Sequence, residues 1–324
     1  MVIEKSKRNF VCIQGGLSCP KYKSFYYFKY VVTVQSISKY DELHPTAITI
    51  GTFDGVHIGH RKILERLMKT SERVNLKSTV LTFFPHPRMV LQKDVDIKLL
   101  NTIGEKSNIL KEMGLDQLII HPFTKDFSRL SATEFVRDIL VNKLKIKKII
   151  IGYDHRFGRN RNANISDLRA FGTTLDFEVE EISAQEIDEV SVSSTKIRKA
   201  LNDGDIPTAN AYLGYHYMLT GNVLKGKGLG RQINFPTANL NIPEKYKLVP
   251  KNGVYAVQSE LFGKTVYGMM NIGYNPTVSG DGKVSIEVHY FDFDDCTAYV
   301  MNTSLHRSMP LRNNYRKIKK LRFR

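Results

Sequence analysis

Ile50-Gly51-Thr52-Phe53-Asp54-Gly55-Val56-His57-Ile58-Gly59-His60 is the stretch on which the fold turns. It closes a short apolar run, Thr46–Gly51, that reads as a strand, and it opens Gly59–Val74, where apolar residues recur at helical spacing. The glycines let the backbone turn tightly and approach a ligand closely. The helix start leaves free N–H groups and a positive dipole end, which suits phosphate. His57 and His60 can each add a donor aimed at a phosphoryl oxygen. Taken alone, the same pair also reads as two surface or core histidines, or as a metal pair. In an open α/β sheet such a loop falls at the carboxyl ends of the strands, where ligands bind.

The alternation continues outward. Ser78–Phe84, Gln117–His121, Lys147–Gly152 and Leu175–Glu181 read as strands, and Gly104–Met113, Ala132–Lys143 and Ser194–Leu201 as helices. Strands separated by helices imply βαβ units and a parallel sheet covered on both faces. The pattern ends near 205–215. Beyond it, Tyr217–Leu224, Gly253–Ser259, Thr265–Ile272 and Lys283–Phe291 are β-rich, separated by Gly, Pro and Asn, with no amphipathic helix between them. That texture predicts a small antiparallel barrel.

A chain of 324 residues fits two domains, and a hydrophobic fraction of 42% supplies a globular core. No stretch approaches the roughly 18 apolar residues of a spanning helix, and no clean apolar run follows the basic N-terminus, so neither a membrane nor a secretory signal is expected. Cys12, Cys19 and Cys296 form no CxxC pair, which argues against a zinc site or a disulfide framework and for a cytoplasmic protein. The net charge of +16 invites a nucleic-acid partner, but residues 1–30 carry +5 of it and residues 306–324 carry +8. The middle is left with +3, which suits phosphate-bearing small molecules equally well, and no specific nucleic acid is expected.

A second anion-binding phrase, Val192-Ser193-Ser194-Thr195-Lys196-Ile197-Arg198, opens the last helix of the α/β part. Its Ser and Thr can cap the helix or bind phosphate. Together with Phe84-Pro85-His86-Pro87 and Gly152-Tyr153-Asp154-His155-Arg156-Phe157-Gly158, the two phrases resemble the HxGH nucleotidyltransferases, and more narrowly the adenylyltransferase half of bacterial bifunctional riboflavin kinase/FAD synthetases, over about residues 46–205. The resemblance implies a Rossmann-like α/β nucleotidyltransferase domain in which the phosphate of FMN attacks the α-phosphorus of ATP and pyrophosphate leaves. It places Gly51, Phe53, Asp54, Gly55, Gly59, Ser194, Thr195 and Arg198 on ATP and its phosphates, with His57, His60 and Arg198 catalytic. Asp154 contacts nucleotide or metal, and Asp154 and Phe157 fall in the flavin-binding set. Mg²⁺ bridges phosphate oxygens. His155 departs from the family, which usually has an aromatic residue there; its flat ring can also stack.

In the β-rich part, Gly221-Asn222-Val223-Leu224-Lys225-Gly226-Lys227-Gly228-Leu229-Gly230-Arg231 can wrap phosphates with backbone N–H groups. Pro236-Thr237-Ala238-Asn239 supplies a hydroxyl and an amide oxygen, both hard ligands suited to Mg²⁺. The same four letters at Pro207-Thr208-Ala209-Asn210 run into Ala211-Tyr212-Leu213-Gly214 and read as a helix start without chemistry. With Asn252-Gly253-Val254-Tyr255, Asn271-Ile272-Gly273-Tyr274-Asn275-Pro276-Thr277-Val278 and Ile286-Glu287-Val288-His289, this set resembles the riboflavin kinase module of the same family over about 216–295. The resemblance implies a riboflavin kinase-like barrel. Gly226, Gly228, Gly230 and Arg231 would lie on ATP, Thr237 and Asn239 on flavin and metal, and Glu287 would be the base for the riboflavin hydroxyl. From the residues alone, Glu287 between Ile286 and Val288 also reads as a solvent-facing strand residue.

The expected organisation is a disordered extension over 1–29, an FMN adenylyltransferase domain over 30–205, a connection over 206–215, a riboflavin kinase domain over 216–295 and an atypical basic tail over 296–324. After Asp295 the family text stops. Codons for Cys296-Thr297-Ala298, read one base out of register, can spell the family's Leu-Tyr-Gly, so a frameshift is one explanation of the tail. The expected function is ATP-dependent synthesis of FMN and FAD. The alternatives are FAD synthesis alone, with the kinase impaired by the altered end, and a degenerate flavin or RNA binder.

Overall fold

The computed structural model describes residues 31–41, 44–92, 96–183, 186, 192–224, 236–261, 264–274, 284–291 and 300–309. The first half is a six-stranded parallel sheet in the order β1-β4-β3-β2-β5-β6, formed by β1 (Val32–Val34), β2 (Thr46–Ile50), β3 (Lys77–Phe83), β4 (Gln117–His121), β5 (Ile146–Gly152) and β6 (Glu178–Ile182). Every residue of β2 is buried, as a central parallel strand covered on both faces requires. Helices α1 (Ile58–Arg73), α2 (Pro87–Leu91), α3 (Ile103–Glu112), α4 (Ala132–Glu134, running on as a π-helix over Phe135–Lys143) and α5 (Ile165–Leu175) connect the strands. From β2 the chain winds outward through β3 and β4, then returns to place β5 on the other side of β2. The β2/β5 neighbours are therefore the switch point of the sheet, beyond whose carboxyl ends sheets of this kind bind their ligands.

The start of β6 differs from the sequence reading. Leu175 ends α5, a helix that the sequence does not announce, and Asp176 turns the chain at φ 58°, so β6 starts three residues later than expected. Helix α5 is fixed by a capping box between Asn164 and Asp167.

Helices α6 (Ser194–Asp203) and α7 (Ile206–Leu213) follow. The Pro207-Thr208-Ala209-Asn210 phrase does begin a helix: Asp205 caps α7 and the proline sits in its first turn, where no N–H is needed. The second half is a closed antiparallel barrel in the order β10-β11-β8-β7-β12-β9. Its strands are β7 (Met218–Leu224), β8 (Ala238–Asn241), β9 (Gly253–Leu261), β10 (Lys264–Tyr274), β11 (Val284–Tyr290) and β12 (Val300–Met309). Leu219, Leu240, Val257, Met270, Ile272, Ile286, Val288 and Leu305 fill one core, and Ile197, Leu201, Ile206, Ala209 and Leu213 of α6 and α7 pack into the same cluster.

The end of the barrel corrects the sequence reading. That reading sets residues 296–324 outside the kinase domain, yet β12 pairs with β7 on one side and β9 on the other and completes the closure. Without β12 both neighbours would expose a row of unpaired backbone groups. Thr303 and Leu305 are fully buried. Residues 1–29 and the rest of the tail lie outside the described residues.

Candidate active sites

The first site grows from the turn after β2. Phe53 and Val56 take φ 44° and 38°, Gly55 takes φ 88°, and α1 begins at Ile58. Gly55 is required twice over: its φ is left-handed, and an added Cβ would lie 2.6 Å from Leu100 Cδ1. His57 is the N-cap of α1, and its Nδ1 accepts the His60 N–H at 3.4 Å. The two imidazoles stack with centroids 3.6 Å apart, and Phe53 meets His60 edge-on at 5.2 Å. Burial lowers the His57 pKa to about 4. Burial, His57 and Lys106 lower that of His60 as well. Both rings are therefore neutral near pH 7, and each retains one N–H to donate. His60 Nδ1 is buried without a partner in the protein.

Asp54 holds the loop together. Its buried carboxylate accepts the Leu100 N–H through Oδ1 at 2.9 Å and pairs with Arg198 through Oδ2. Burial raises the Asp54 pKa, while Arg198 and Lys106 act against the rise. Arg198 Nε also donates to the Lys98 carbonyl at 2.8 Å, and Ser194 Oγ donates to the Asp54 carbonyl at 2.9 Å. Capping of α6 falls to Ser193, whose side chain accepts the Lys196 N–H. The structure thus brings His57, His60, Phe53, Asp54, Ser194 and Arg198 into one constellation, with Thr195 exposed on the first turn of α6.

Lys106 is a member that the sequence reading missed. Its ammonium donates to the Thr52 carbonyl at 2.7 Å, and burial lowers its pKa to about 8 against the pull of Asp54. His86, N-cap of α2, is held to a pKa of about 4 by burial, with Arg198, Lys106 and Arg88 adding to the effect. Apart from the Asp54 carboxylate, the charges here are positive, as a polyphosphate site needs.

The Gly152–Gly158 phrase follows β5 at the same edge of the sheet. Asp154 is exposed there. Phe157, expected on flavin, follows on the same turn. It is buried against Phe135 and bridged to Ala163 through both backbone bonds, so it serves the core of the sheet. His155 stacks over Phe157 at 6.2 Å with its Nε2 buried and unpartnered.

The second site lies on the outer face of the barrel. Ile286, Val288, Ala238 and Leu240 point into the core, so the alternate residues Glu287 and Asn239 point out, half-buried. Register places Glu287 directly opposite Asn239 on β8 and opposite Asn271 on β10. Three polar side chains thus run in a row across three strands. Glu287 Oε1 accepts the Ser285 hydroxyl at 3.2 Å, and His289 Nδ1 lies 2.9 Å from the Pro236 carbonyl oxygen beside Thr237. Gly226, Gly228, Gly230 and Arg231 fall outside the described residues.

Residues 39–196 match the family described as FAD synthetase, and residues 213–322 match riboflavin kinase. A bifunctional riboflavin kinase/FMN adenylyltransferase of Listeria monocytogenes is 38% identical over 247 residues, covering 76% of this chain and 78% of that protein. The chain belongs to the bifunctional riboflavin kinase/FMN adenylyltransferase family. An Escherichia coli K12 protein of the same description is 38% identical over 248 residues, with 76% and 78% covered. A crystal structure titled macrolide-efflux protein from Streptococcus pneumoniae superposes with a TM-score of 0.76 at 26% identity, over 90% of this chain and 95% of that one. Among the described residues of this chain no helix is long and apolar enough to cross a membrane. As a member of its family the chain has both activities: it makes FMN from riboflavin and FAD from FMN, with ATP as the substrate in each step.

Proposed function

We propose that adenylyl transfer takes place over the His57–His60 stack and riboflavin phosphorylation at Glu287. The observation that carries the first assignment is the pair of neutral imidazoles at the N-terminus of α1, beside the switch point of the sheet. An FMN phosphate oxygen attacks the α-phosphorus of ATP, the bond to the β-phosphate oxygen breaks, and pyrophosphate leaves. No protein nucleophile is needed, so catalysis is alignment plus charge stabilisation. His57 and His60 donate to the phosphoryl oxygens. Lys106 supplies a nearby buried charge. Ser194, Thr195 and Arg198 hold the leaving phosphates, with Arg198 anchored in place by Asp54. Gly51, Phe53, Gly55 and Gly59 shape the floor, and exposed Asp154 contacts nucleotide or flavin.

On the barrel, Glu287 accepts the proton of the ribityl 5′-hydroxyl as that oxygen attacks the γ-phosphorus of a second ATP, giving FMN and ADP. Among the described residues no cluster of His, Cys, Asp and Glu could cage a metal. Mg²⁺ is ordinarily held by substrate phosphates with few protein ligands, and the Thr237 hydroxyl and Asn239 amide oxygen are hard donors of the right kind. When bound, Mg²⁺ neutralises charge on the transferring phosphates. The compartment that suits these substrates is the cytoplasm. The test is to assay each half separately. Glu287→Gln should lower FMN formation by about 10²–10⁴-fold yet still convert added FMN to FAD, and loss of both steps together would overturn the division of labour.

A further inference from the structure

Between the two halves lies a buried polar junction that neither reaction uses directly. Lys247, in the segment between β8 and β9, is 3% exposed. Its ammonium donates to the Leu100 carbonyl at 2.7 Å and to Glu105 Oε2 at 2.6 Å, and lies 4.3 Å from the centre of the Tyr217 ring. Glu105 belongs to the first half: it is the N3 residue of α3 and accepts the Thr102 N–H. Its other oxygen accepts the Thr220 N–H of β7. On either side of this pair the backbones are joined, Leu99 N–H to the Tyr246 carbonyl at 2.6 Å and Leu248 N–H to the Leu99 carbonyl at 2.8 Å. A further bond runs from Lys251 N–H to the Leu201 carbonyl of α6.

The segment held this way, Lys98–Leu100, is also the one that holds the adenylyltransferase loop. Leu100 N–H binds Asp54, the Lys98 carbonyl binds Arg198, and the Leu100 side chain faces Gly55. Next to Glu105 on α3 stands Lys106, which binds the Thr52 carbonyl. Helix α6, which carries Ser194 and Arg198, buries Ile197 and Leu201 in the cluster that fills the barrel. The turn that grips ATP is thus fastened on both flanks to elements whose other side is clamped by the barrel.

We propose that Lys247 is a positioning residue for adenylyl transfer, and that the kinase barrel is a structural part of the FAD-forming site. It acts through the Leu100 carbonyl and Glu105, and through them on the Asp54 loop. The inference rests on the assignment of ATP to the His57–His60 loop. Lys247→Met removes the ammonium at nearly constant shape. In the full-length protein it should raise KM for ATP in FAD formation about tenfold with kcat little changed, while riboflavin phosphorylation stays within about twofold. Lys247→Arg, which can still bond both acceptors, should restore KM.

The single variant leaves Glu105 buried without its counter-charge, so the Glu105→Gln/Lys247→Met pair serves as the second arm. The amide introduced in place of the Glu105 carboxylate removes the unpaired charge and keeps an oxygen for the Thr102 N–H, but it turns a donor towards the Thr220 N–H, and the Leu100 carbonyl still lacks its donor. The double variant should therefore unfold at a higher temperature than Lys247→Met and retain the raised KM. A normal KM for ATP in either folded variant overturns the inference. So does a Lys247→Met protein that loses both activities in parallel while the double variant is normal in every respect, because the pair would then serve stability alone. Absence of FAD formation by the unaltered chain would bring down the site assignment itself.

Discussion

At the residue scale, the first site works with neutral imidazoles and fixed cations. His57, at a pKa of about 4, carries no charge at neutral pH, so the role proposed for it is a directed hydrogen bond in a desolvated turn. His57→Ala should lower kcat for FAD formation about 10²–10³-fold, the cost of one such donor, with riboflavin phosphorylation intact. Glu287→Gln should do the converse, lowering FMN formation by about 10²–10⁴-fold, the usual contribution of a general base. Steady-state assays of each step separate the two. The buried histidines also set a pH dependence of folding. Burial depresses His57, His86 and His155 to about 4, below the usual 6.5, so between these values the unfolded chain binds more protons than the folded one. Stability is then complete above about pH 6.5 and is lost as pH falls towards 4. Denaturant titrations at pH 7, 6 and 5 should show a midpoint that falls steadily, and a flat or rising midpoint would contradict the burial of these rings.

At the element scale, two connections decide whether the sites exist. Gly55→Ala meets both a left-handed φ and Leu100 at 2.6 Å, so it should cost about 1–3 kcal/mol of stability and displace the loop that carries His57. Thermal unfolding and an FAD-formation assay report the two effects. Strand β12 is the other. A stop codon after residue 299 should open the barrel between β7 and β9 and abolish riboflavin phosphorylation. The sequence disclosed the first of these elements and hid the second. The turn after β2 announces itself because glycines, a histidine pair and a switch from strand to helix spacing fall within eleven residues. Val300–Met309 gives no such signal: its residues are mixed in polarity, Thr303 and Leu305 are inward, and a register shift between Leu305 and Arg307 breaks the alternation. Lys106 was equally hidden. A lysine in an amphipathic helix reads as a solvated side chain, and only the fold, which brings α3 to the turn after β2, buries it at the Thr52 carbonyl near Asp54. The burial of Phe157 was hidden too, because a motif position shows neither which face of the turn a ring occupies nor that Phe135 awaits it.

At the scale of the whole molecule, the two halves share more than a chain. One apolar cluster runs from α6 and α7 into the barrel, and the Lys98–Leu100 segment is bonded to both the Asp54 loop and the Tyr246–Leu248 backbone. A division at residue 205 would cut through that cluster. FMN is the product of one half and the substrate of the other, so the order of events is set by chemistry: the barrel fills the pool from which the α/β half draws. The most direct measurement is a time course with riboflavin, ATP and Mg²⁺, with the flavins separated at intervals, run on the unaltered chain and on His57→Ala and Glu287→Gln. The unaltered protein should form FMN first and FAD after it; His57→Ala should stop at FMN; Glu287→Gln should form FAD only when FMN is supplied. Undiminished FAD from His57→Ala, or undiminished FMN from Glu287→Gln, would contradict the account.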